Sequence, residues 1–136
     1  MNNQQINHLM DEAKRIKENS YSPYSNFRVG AAIQMKDGEI FTGVNIENVS
    51  FGATNCAERS AIFTAVSQGY KKDTIEAIAV SGDTETFLPP CSICRQVMVE
   101  FCGPDTPVYL SRTSDDEILT TNVKGLVPLA FDSMDI

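Results

Sequence analysis

The chain has a single histidine and contains no long hydrophobic run, and each of these two shortages argues against a class of protein. The histidine, His8, falls in the first predicted helix, so Ser-His-Asp or Cys-His catalysis would depend on a residue with no candidate partner nearby. A membrane-spanning helix needs about 20 predominantly apolar residues, and no segment approaches that. The N-terminus shows no charged region followed by an apolar stretch, so we expect no secretory signal and a cytoplasmic protein.

Basic residues are also scarce. There are 11 Lys and Arg residues against 18 Asp and Glu, which gives a net charge of −7. Proteins that bind phosphate backbones or anionic membranes usually carry the opposite balance, so we expect neither a nucleic acid nor a membrane as partner. A chain of 136 residues can bury a core without disulfides, and we expect one domain over residues 1–136.

Hydrophobic periodicity predicts alternating helices and strands. Strand 75–80, helix 91–101 and strand 107–111 form a βαβ unit, whose strands should be parallel. The Asp37-Gly38 turn predicts a hairpin, and residues 112–117 are too few for a crossover, so the other pairings should be antiparallel. The result is an α/β protein, a three-layer α/β/α fold with a mixed five-stranded sheet. Its remaining predicted elements are helices 4–19 and 56–68 and strands 27–35, 40–44 and 118–121.

Three of the four cysteines have the spacing of a metal site. Cys91 and Cys94 are three residues apart in the first turn of a predicted helix, where side chains lie about 5–6 Å apart and two thiolates can share one zinc. Cys56 opens another helix, so the three sulfurs converge if the two helix N-termini face each other. Three protein ligands leave one position of a tetrahedral zinc open, as catalytic sites do.

Two other interpretations of these cysteines remain open. Cys91-Ser-Ile-Cys94 could be a thioredoxin-like redox pair, although it lacks the Gly-Pro of such pairs and leaves Cys56 unexplained. A fourth ligand could close a structural zinc site. Cys102 lies about 12 Å from Cys94 along the helix at ~1.5 Å per residue, so we expect it to be a buried thiol instead.

Charged residues follow the cysteines closely. Glu58, two residues after Cys56, could carry protons beside a metal-activated water, or it could form a capping box with Asn55. Three thiolates on Zn²⁺ leave a net charge of −1, so we expect Arg59 and Arg95 to donate hydrogen bonds to the sulfurs.

Five segments carry a resemblance to a known family. They are Tyr21-Ser-Pro-Tyr-Ser-Asn-Phe27, Asn45-Ile-Glu-Asn48, Asn55-Cys-Ala-Glu-Arg-Ser-Ala61, Pro90-Cys-Ser-Ile-Cys-Arg-Gln96 and Leu126-Val-Pro-Leu-Ala-Phe131. The chain resembles the zinc-dependent cytidine deaminases in their small homotetrameric form. That resemblance implies hydrolysis of cytidine and 2′-deoxycytidine to uridine and 2′-deoxyuridine with release of ammonia, in pyrimidine salvage. Zinc-activated hydroxide would attack C4 while Glu58 shuttles protons.

The resemblance also implies roles for individual residues. It implies one zinc per subunit on Cys56, Cys91 and Cys94, and active sites near subunit interfaces. The implied contacts with a small pyrimidine nucleoside are Asn45 and Glu47 to the ribose hydroxyls, Phe27 packed on the substrate, Ala57, and Phe131 reaching a neighbouring subunit's base. Without the resemblance, Asn45 would be a strand-end residue, and Phe27 and Phe131 would be core.

The chain departs from the family pattern at two positions. Ser92 stands where glycine is common, and Phe51 stands where an aromatic hydroxyl is common, so a hydrogen bond made there across an interface is in doubt. A blasticidin-S-type deaminase and a non-enzymatic zinc-stabilised binding domain remain as alternatives. The Asn45-x-Glu47 pair favours a nucleoside that carries a ribose.

Overall fold

A computed structural model describes residues 1–135. The single domain that we expect ends at residue 136, which lies outside the described residues. The elements, in chain order, are α1 (Asn3–Ile16), β1 (Val29–Met35), β2 (Ile40–Val44), α2 (Ala57–Ser67), β3 (Ile75–Gly82), α3 (Ser92–Phe101), β4 (Pro107–Ser111), β5 (Ile118–Asn122) and α4 (Val123–Leu126). In residues 1–135, no helix is both long enough and apolar enough to cross a membrane.

The five strands form one mixed sheet in the order β2-β1-β3-β4-β5. β3 and β4 are parallel, with Ile78 opposite Val108, which confirms the predicted βαβ unit. β1 pairs antiparallel with both β2 and β3, and β4 pairs antiparallel with β5. The mixed five-stranded sheet is therefore confirmed, and the adjacent parallel pair is joined through helix α3, which supplies the length that a parallel connection needs.

Helices cover both faces of the sheet. The apolar face of α1 buries Leu9, Met10 and Ala13 against Ala32 and Ala79 on one side. α2 and α3 pack on the other side, where most of the larger apolar residues of β1, β3 and β4 are buried. The three-layer α/β/α architecture follows directly from this alternation of strand side chains between two apolar layers.

Helix α2 lies unusually close to strand β2. A Cβ atom placed on Gly43 would meet the Ala61 nitrogen at 2.4 Å and the Ala57 oxygen at 2.6 Å, both backbone atoms that cannot turn aside. Ala57, Ala61 and Ala65 on the facing side of α2 are all buried and small. At this close approach Ala57 and Glu58, in the first turn of α2, are buried, directly after the N-cap residue Cys56.

The structure differs from the sequence prediction at element ends. The first helix gives way to a 3-10 turn at Lys17–Asn19, and the first strand begins at Val29 instead of residue 27. The short helix α4 was not predicted, because four residues are too few to show a helical period. The other predicted strands and helices are found within two residues of their expected bounds.

Candidate active site

Three cysteine sulfurs converge where α2 and α3 begin. Cys56 is the N-cap residue of α2 and Cys91 is the N-cap residue of α3, and Cys94 lies in the first turn of α3. The Cys56 and Cys91 sulfurs are 3.6 Å apart, and all three sulfurs lie within 4.8 Å of one another. Two thiolates at about 2.3 Å from one tetrahedral zinc would be separated by roughly 3.8 Å. The geometry and the donor set therefore fit one zinc ion per chain.

The thiol of Cys56 is strongly acidified. A hydrogen bond from the Cys94 thiol and another from Arg59 Nη2 at 3.3 Å lower the pKa of Cys56 to about 5. The pKa of Cys94 is raised, chiefly because its thiol donates that hydrogen bond to Cys56. The pair thus shares one proton, which a bound metal ion would displace. All four cysteines are free thiols, so none is lost to a disulfide.

Glu58 is buried beside this sulfur group, and only 4% of its surface is exposed. Burial raises the pKa of its carboxyl to about 7. The capping alternative fails, because Cys56 and not Asn55 is the N-cap residue, and the Asn55 side chain donates to Ser60 Oγ instead. A carboxyl with this pKa can both accept and release a proton near neutral pH.

A cavity of about 200 Å³ opens onto the sulfur group. Its walls bring together residues that are distant in the chain: Phe27, Val29, Asn45, Thr54, Asn55, Cys56, Ala57, Glu58, Leu88, Pro89 and Cys91. Four of the predicted nucleoside-contacting and proton-carrying residues, Phe27, Asn45, Ala57 and Glu58, are among them. Thr54, Leu88 and Pro89 were missed by sequence reasoning, although the position of Pro89 just before Pro90-Cys91 could have indicated it.

Comparison with known proteins gives the site a family. Residues 3–110 match the cytidine and deoxycytidylate deaminase zinc-binding region. The chain belongs to this family. It is similar to the cytidine deaminase of Halalkalibacterium halodurans, with 51% identity over 128 residues that cover 94% of this chain and 95% of the relative. The cytidine deaminase of Sporosarcina psychrophila is 47% identical over 131 residues, which cover 96% and 94% of the two chains.

The fold of the deaminase family is recovered as well. A crystal structure of cytidine deaminase from Burkholderia pseudomallei matches with a TM-score of 0.89 and 44% identity, covering 96% of this chain and all of that one. The three-cysteine group described above lies inside the matched zinc-binding region, since Cys94 precedes residue 110.

Asn45 is held rigidly at the wall of the deaminase cavity. Its Oδ1 accepts from the Val29 N–H at 3.0 Å and from Ser20 Oγ, and its Nδ2 donates to the Phe27 carbonyl at 2.8 Å. One N–H of the amide stays free for a ligand, because the other is donated to Phe27, and Oδ1 has no free acceptor position because both of its lone pairs are occupied. The flipped amide is excluded, since it would place the Nδ2 donor of Asn45 opposite the Val29 N–H, which is also a donor.

Glu47 lies in an adjoining cavity of about 310 Å³ with Tyr24, Ser25 and Phe51, and Thr54 lines both cavities. One carboxylate oxygen accepts from the Tyr24 and Ser25 N–H groups at 2.9 and 3.1 Å, and the other accepts from Ser25 Oγ. These bonds, the Ser25 hydroxyl first, lower the pKa of Glu47. The amide of Asn45 and the carboxylate of Glu47 thus line two different cavities that share Thr54.

The two arginines take different partners. Arg59 contacts the Cys56 sulfur as expected, but Arg95 Nε donates to the Pro90 carbonyl at 2.7 Å and its Nη1 to the Leu126 carbonyl at 3.1 Å. The expected contact of Arg95 with a sulfur is therefore replaced by backbone contacts that hold the loop before Cys91 against α4. The spacing of Arg95 from the cysteines did not indicate the direction in which its side chain points, and this direction decides its partners.

Phe131 and Cys102 do not line the cavity at the sulfur group. Phe131 is 64% exposed, so the core interpretation of this residue is wrong, and its carbonyl accepts from Gln96 Nε2 at 2.9 Å. Cys102 is buried at the far end of α3, and burial raises the pKa of its thiol to about 12. It lines a separate groove of about 380 Å³ between α3, α4 and the C-terminal segment.

Proposed function

We propose that this protein hydrolyses cytidine and 2′-deoxycytidine to uridine and 2′-deoxyuridine and releases ammonia. The observation that carries the proposal is a buried carboxyl, Glu58, in one cavity with a three-thiolate group and a donor amide, Asn45. The whole-length similarity to proteins described as cytidine deaminases supports it. The non-enzymatic alternative gives no reason to bury a carboxyl beside the sulfurs.

Cys56, Cys91 and Cys94 would hold zinc, which when bound would act as a Lewis acid and activate water. Glu58 accepts a proton from the attacking water, delivers it to N3 of the pyrimidine, and later gives a proton to the departing amino group. The raised pKa of Glu58, about 7, suits both directions of transfer. Arg59 offsets the negative charge of the thiolates through its hydrogen bond to Cys56. Atoms balance, because water and cytidine become uridine and ammonia.

Asn45 and Glu47 would select a sugar. Asn45 offers one N–H donor, and Glu47, with three lone pairs already occupied, offers one acceptor position. One donor and one acceptor complement a sugar hydroxyl, which accepts and donates at once. Phe27 and Ala57 would pack against the nucleoside, since both line the cavity.

We also propose that the chain forms one domain over residues 1–136 and assembles as a cytoplasmic homotetramer. Free thiols persist in reducing compartments, which suits a three-thiolate site. Four large apolar side chains are exposed: Val49 (78%), Phe51 (84%), Leu129 (104%) and Phe131 (64%). Contact with neighbouring subunits would remove this apolar surface from water. Phe131 would complete the site of a neighbouring subunit.

Ammonia release from cytidine is the test of the activity. Protein with one zinc per chain should release ammonia from cytidine and 2′-deoxycytidine, and chelator-treated protein should regain the rate when zinc is restored. Blasticidin S and cytosine in the same assay separate the related activities. Zinc-replete protein that released no ammonia from cytidine would overturn the proposal.

Mixed oligomers test the role of Phe131. Glu58→Gln subunits lack the proton carrier and Phe131→Ala subunits lack the reaching aromatic, so each homo-oligomer should be impaired. After the two are unfolded and refolded together, some sites combine Glu58 of one chain with Phe131 of another. Recovery of activity with a wild-type KM supports a shared site, whereas no recovery shows that Phe131 serves its own chain.

A further inference from the structure

We propose that Ser25 is a positioning residue for the nucleoside, holding Glu47 and Phe27 in place through one hydroxyl group; this rests on the proposed function. The Ser25 Oγ–H donates to Glu47 Oε2, and the same oxygen accepts from the Phe27 N–H at 3.0 Å. Two side chains that would contact different parts of a nucleoside thus share one anchor.

The turn that carries Ser25 is fixed by its own backbone. Asn26 adopts a left-handed conformation with φ of 57°, and its N–H donates to the Ser22 carbonyl at 2.9 Å. Asn is among the few residues that adopt this conformation at low cost. The turn therefore presents the Ser25 hydroxyl and both the Tyr24 and Ser25 N–H groups toward Glu47, at 2.9 and 3.1 Å for the two backbone bonds.

The same turn extends to Asn45. The Phe27 carbonyl accepts a hydrogen bond from Asn45 Nδ2 at 2.8 Å, and the N–H of the same residue donates to Ser25 Oγ. Backbone pairing extends this framework: Tyr21 forms a β-bridge with Ile46, and Ile46 forms another with Asn55, the residue before Cys56. Ser25 is the one side chain in this framework that joins the carboxylate to the aromatic residue directly.

Removal of the hydroxyl has a defined consequence. In Ser25→Ala, Glu47 keeps its two backbone N–H bonds but loses the bond that orients its second oxygen, the one with a free acceptor position. The carboxylate can then rotate about its remaining contacts. Binding of the sugar should weaken, whereas proton transfer at Glu58 should continue, because Glu47 and Glu58 line different cavities.

The experiment compares Ser25→Ala, Ser25→Thr and Ser22→Ala with the wild type. Ser22 is on the same turn, and in residues 1–135 its side chain makes no hydrogen bond, so it is the matched control. In Ser25→Ala we expect KM for cytidine to rise about tenfold with kcat within twofold and zinc content unchanged. Ser25→Thr should restore most of the affinity, and Ser22→Ala should match the wild type.

A substrate without the sugar hydroxyls tests the assigned route. With 2′,3′-dideoxycytidine, the loss caused by Ser25→Ala should shrink to about twofold, because Glu47 then has no hydroxyl to bind. Calorimetric binding of uridine should show the same pattern without turnover. An equal loss on both substrates would overturn the route through Glu47, and a wild-type KM in Ser25→Ala would overturn the role of Ser25; both results would leave the deaminase activity standing. Wild-type protein that neither binds uridine nor deaminates cytidine would overturn both.

Discussion

Helices α2 and α3 both begin after an N-cap cysteine, but their first turns have different surroundings. Each helix has a cysteine at its N-cap, and the two sulfurs lie 3.6 Å apart. The residue two positions later is Glu58 in α2, which is 4% exposed, and Ile93 in α3, which is 61% exposed. The Cys91 sulfur accepts from the N–H of Cys94, its own helix, whereas the Cys56 sulfur is met by the side chain of Arg59.

Packing explains the difference. The start of α2 packs against β2 where Gly43 leaves room for its backbone, and Ala57 and Glu58 in its first turn are buried. The start of α3 emerges at the surface. The proton carrier that we propose therefore lies on α2, where burial raises the pKa of the Glu58 carboxyl, while the residues that we propose for α3 are the two sulfur ligands. Equivalent sequence positions thus acquire different chemistry from the surface against which each helix lies.

The largest expected effect breaks the α2 turn. Glu58→Gln keeps the shape of the side chain but removes its ability to carry a proton. Positioned proton carriers contribute roughly 10²–10⁴-fold, so we expect kcat to fall by about a thousandfold with one zinc per chain retained. Steady-state kinetics and metal analysis measure both quantities.

Glu100→Gln is the matched control for that variant. Glu100 is an exposed carboxylate on α3 that pairs with Lys72 at the surface, so the same substitution there should change kcat by less than twofold. A Glu58→Gln protein with near wild-type kcat would mean that another group carries the proton, and the contrast between the two helices would be lost.

A smaller effect distinguishes the two arginines. Arg59→Ala removes a hydrogen bond to a ligand sulfur, and such partners typically account for 10–100-fold in metal affinity or activity. Arg95→Ala removes contacts with two carbonyls, so it should lower thermal stability while leaving zinc affinity within about threefold. Competition with a chelator measures the affinities. Equal losses in the two variants would show that Arg95 also acts on the sulfurs.

The pH dependence of alkylation sharpens the same contrast. In zinc-free protein the pKa of Cys56 is lowered from 9.0 to about 5, so its thiolate predominates throughout pH 6–8 and its labelling by iodoacetamide should hardly change across that range. Arg59→Ala should raise this pKa and make labelling increase with pH. Mass spectrometry of the peptide that contains Cys56 reports the rate. Labelling that rises tenfold per pH unit in the wild type would contradict the acidified thiol.

The smallest expected effect concerns the two ends of α3. Cys102 lies at the C-terminal end of α3, away from the sulfur group, so the variant Cys102→Ala should keep its zinc content and kcat unchanged. Removal of a buried thiol should lower the free energy of unfolding by about 1 kcal/mol, measured by urea denaturation. Loss of zinc in this variant would show that Cys102 contributes to the metal site.

Much of the fold and part of the site could be predicted from the sequence, because they depend on local patterns. Short apolar runs bounded by turn and loop residues indicated the strands, and Cys91-x-x-Cys94 at a helix start is a spacing that suits a shared metal. The partners of Arg95 could not be predicted, since they belong to Pro90 and to Leu126, in a helix too short to leave a sequence pattern. The anchoring of Glu47 by Ser25 likewise joins residues 22 apart in the chain.

The sequence by itself determined the ligand set, the candidate proton carrier and the order of helices and strands, because residue identity and periodicity are local properties. Only the tertiary structure decided that the three sulfurs lie within 4.8 Å of one another, that Glu58 is buried, and that Asn45 keeps a single free N–H. Distance and desolvation arise when distant segments pack together. The two cysteine motifs at 56 and 91 become one site because the sheet sets the starts of α2 and α3 side by side.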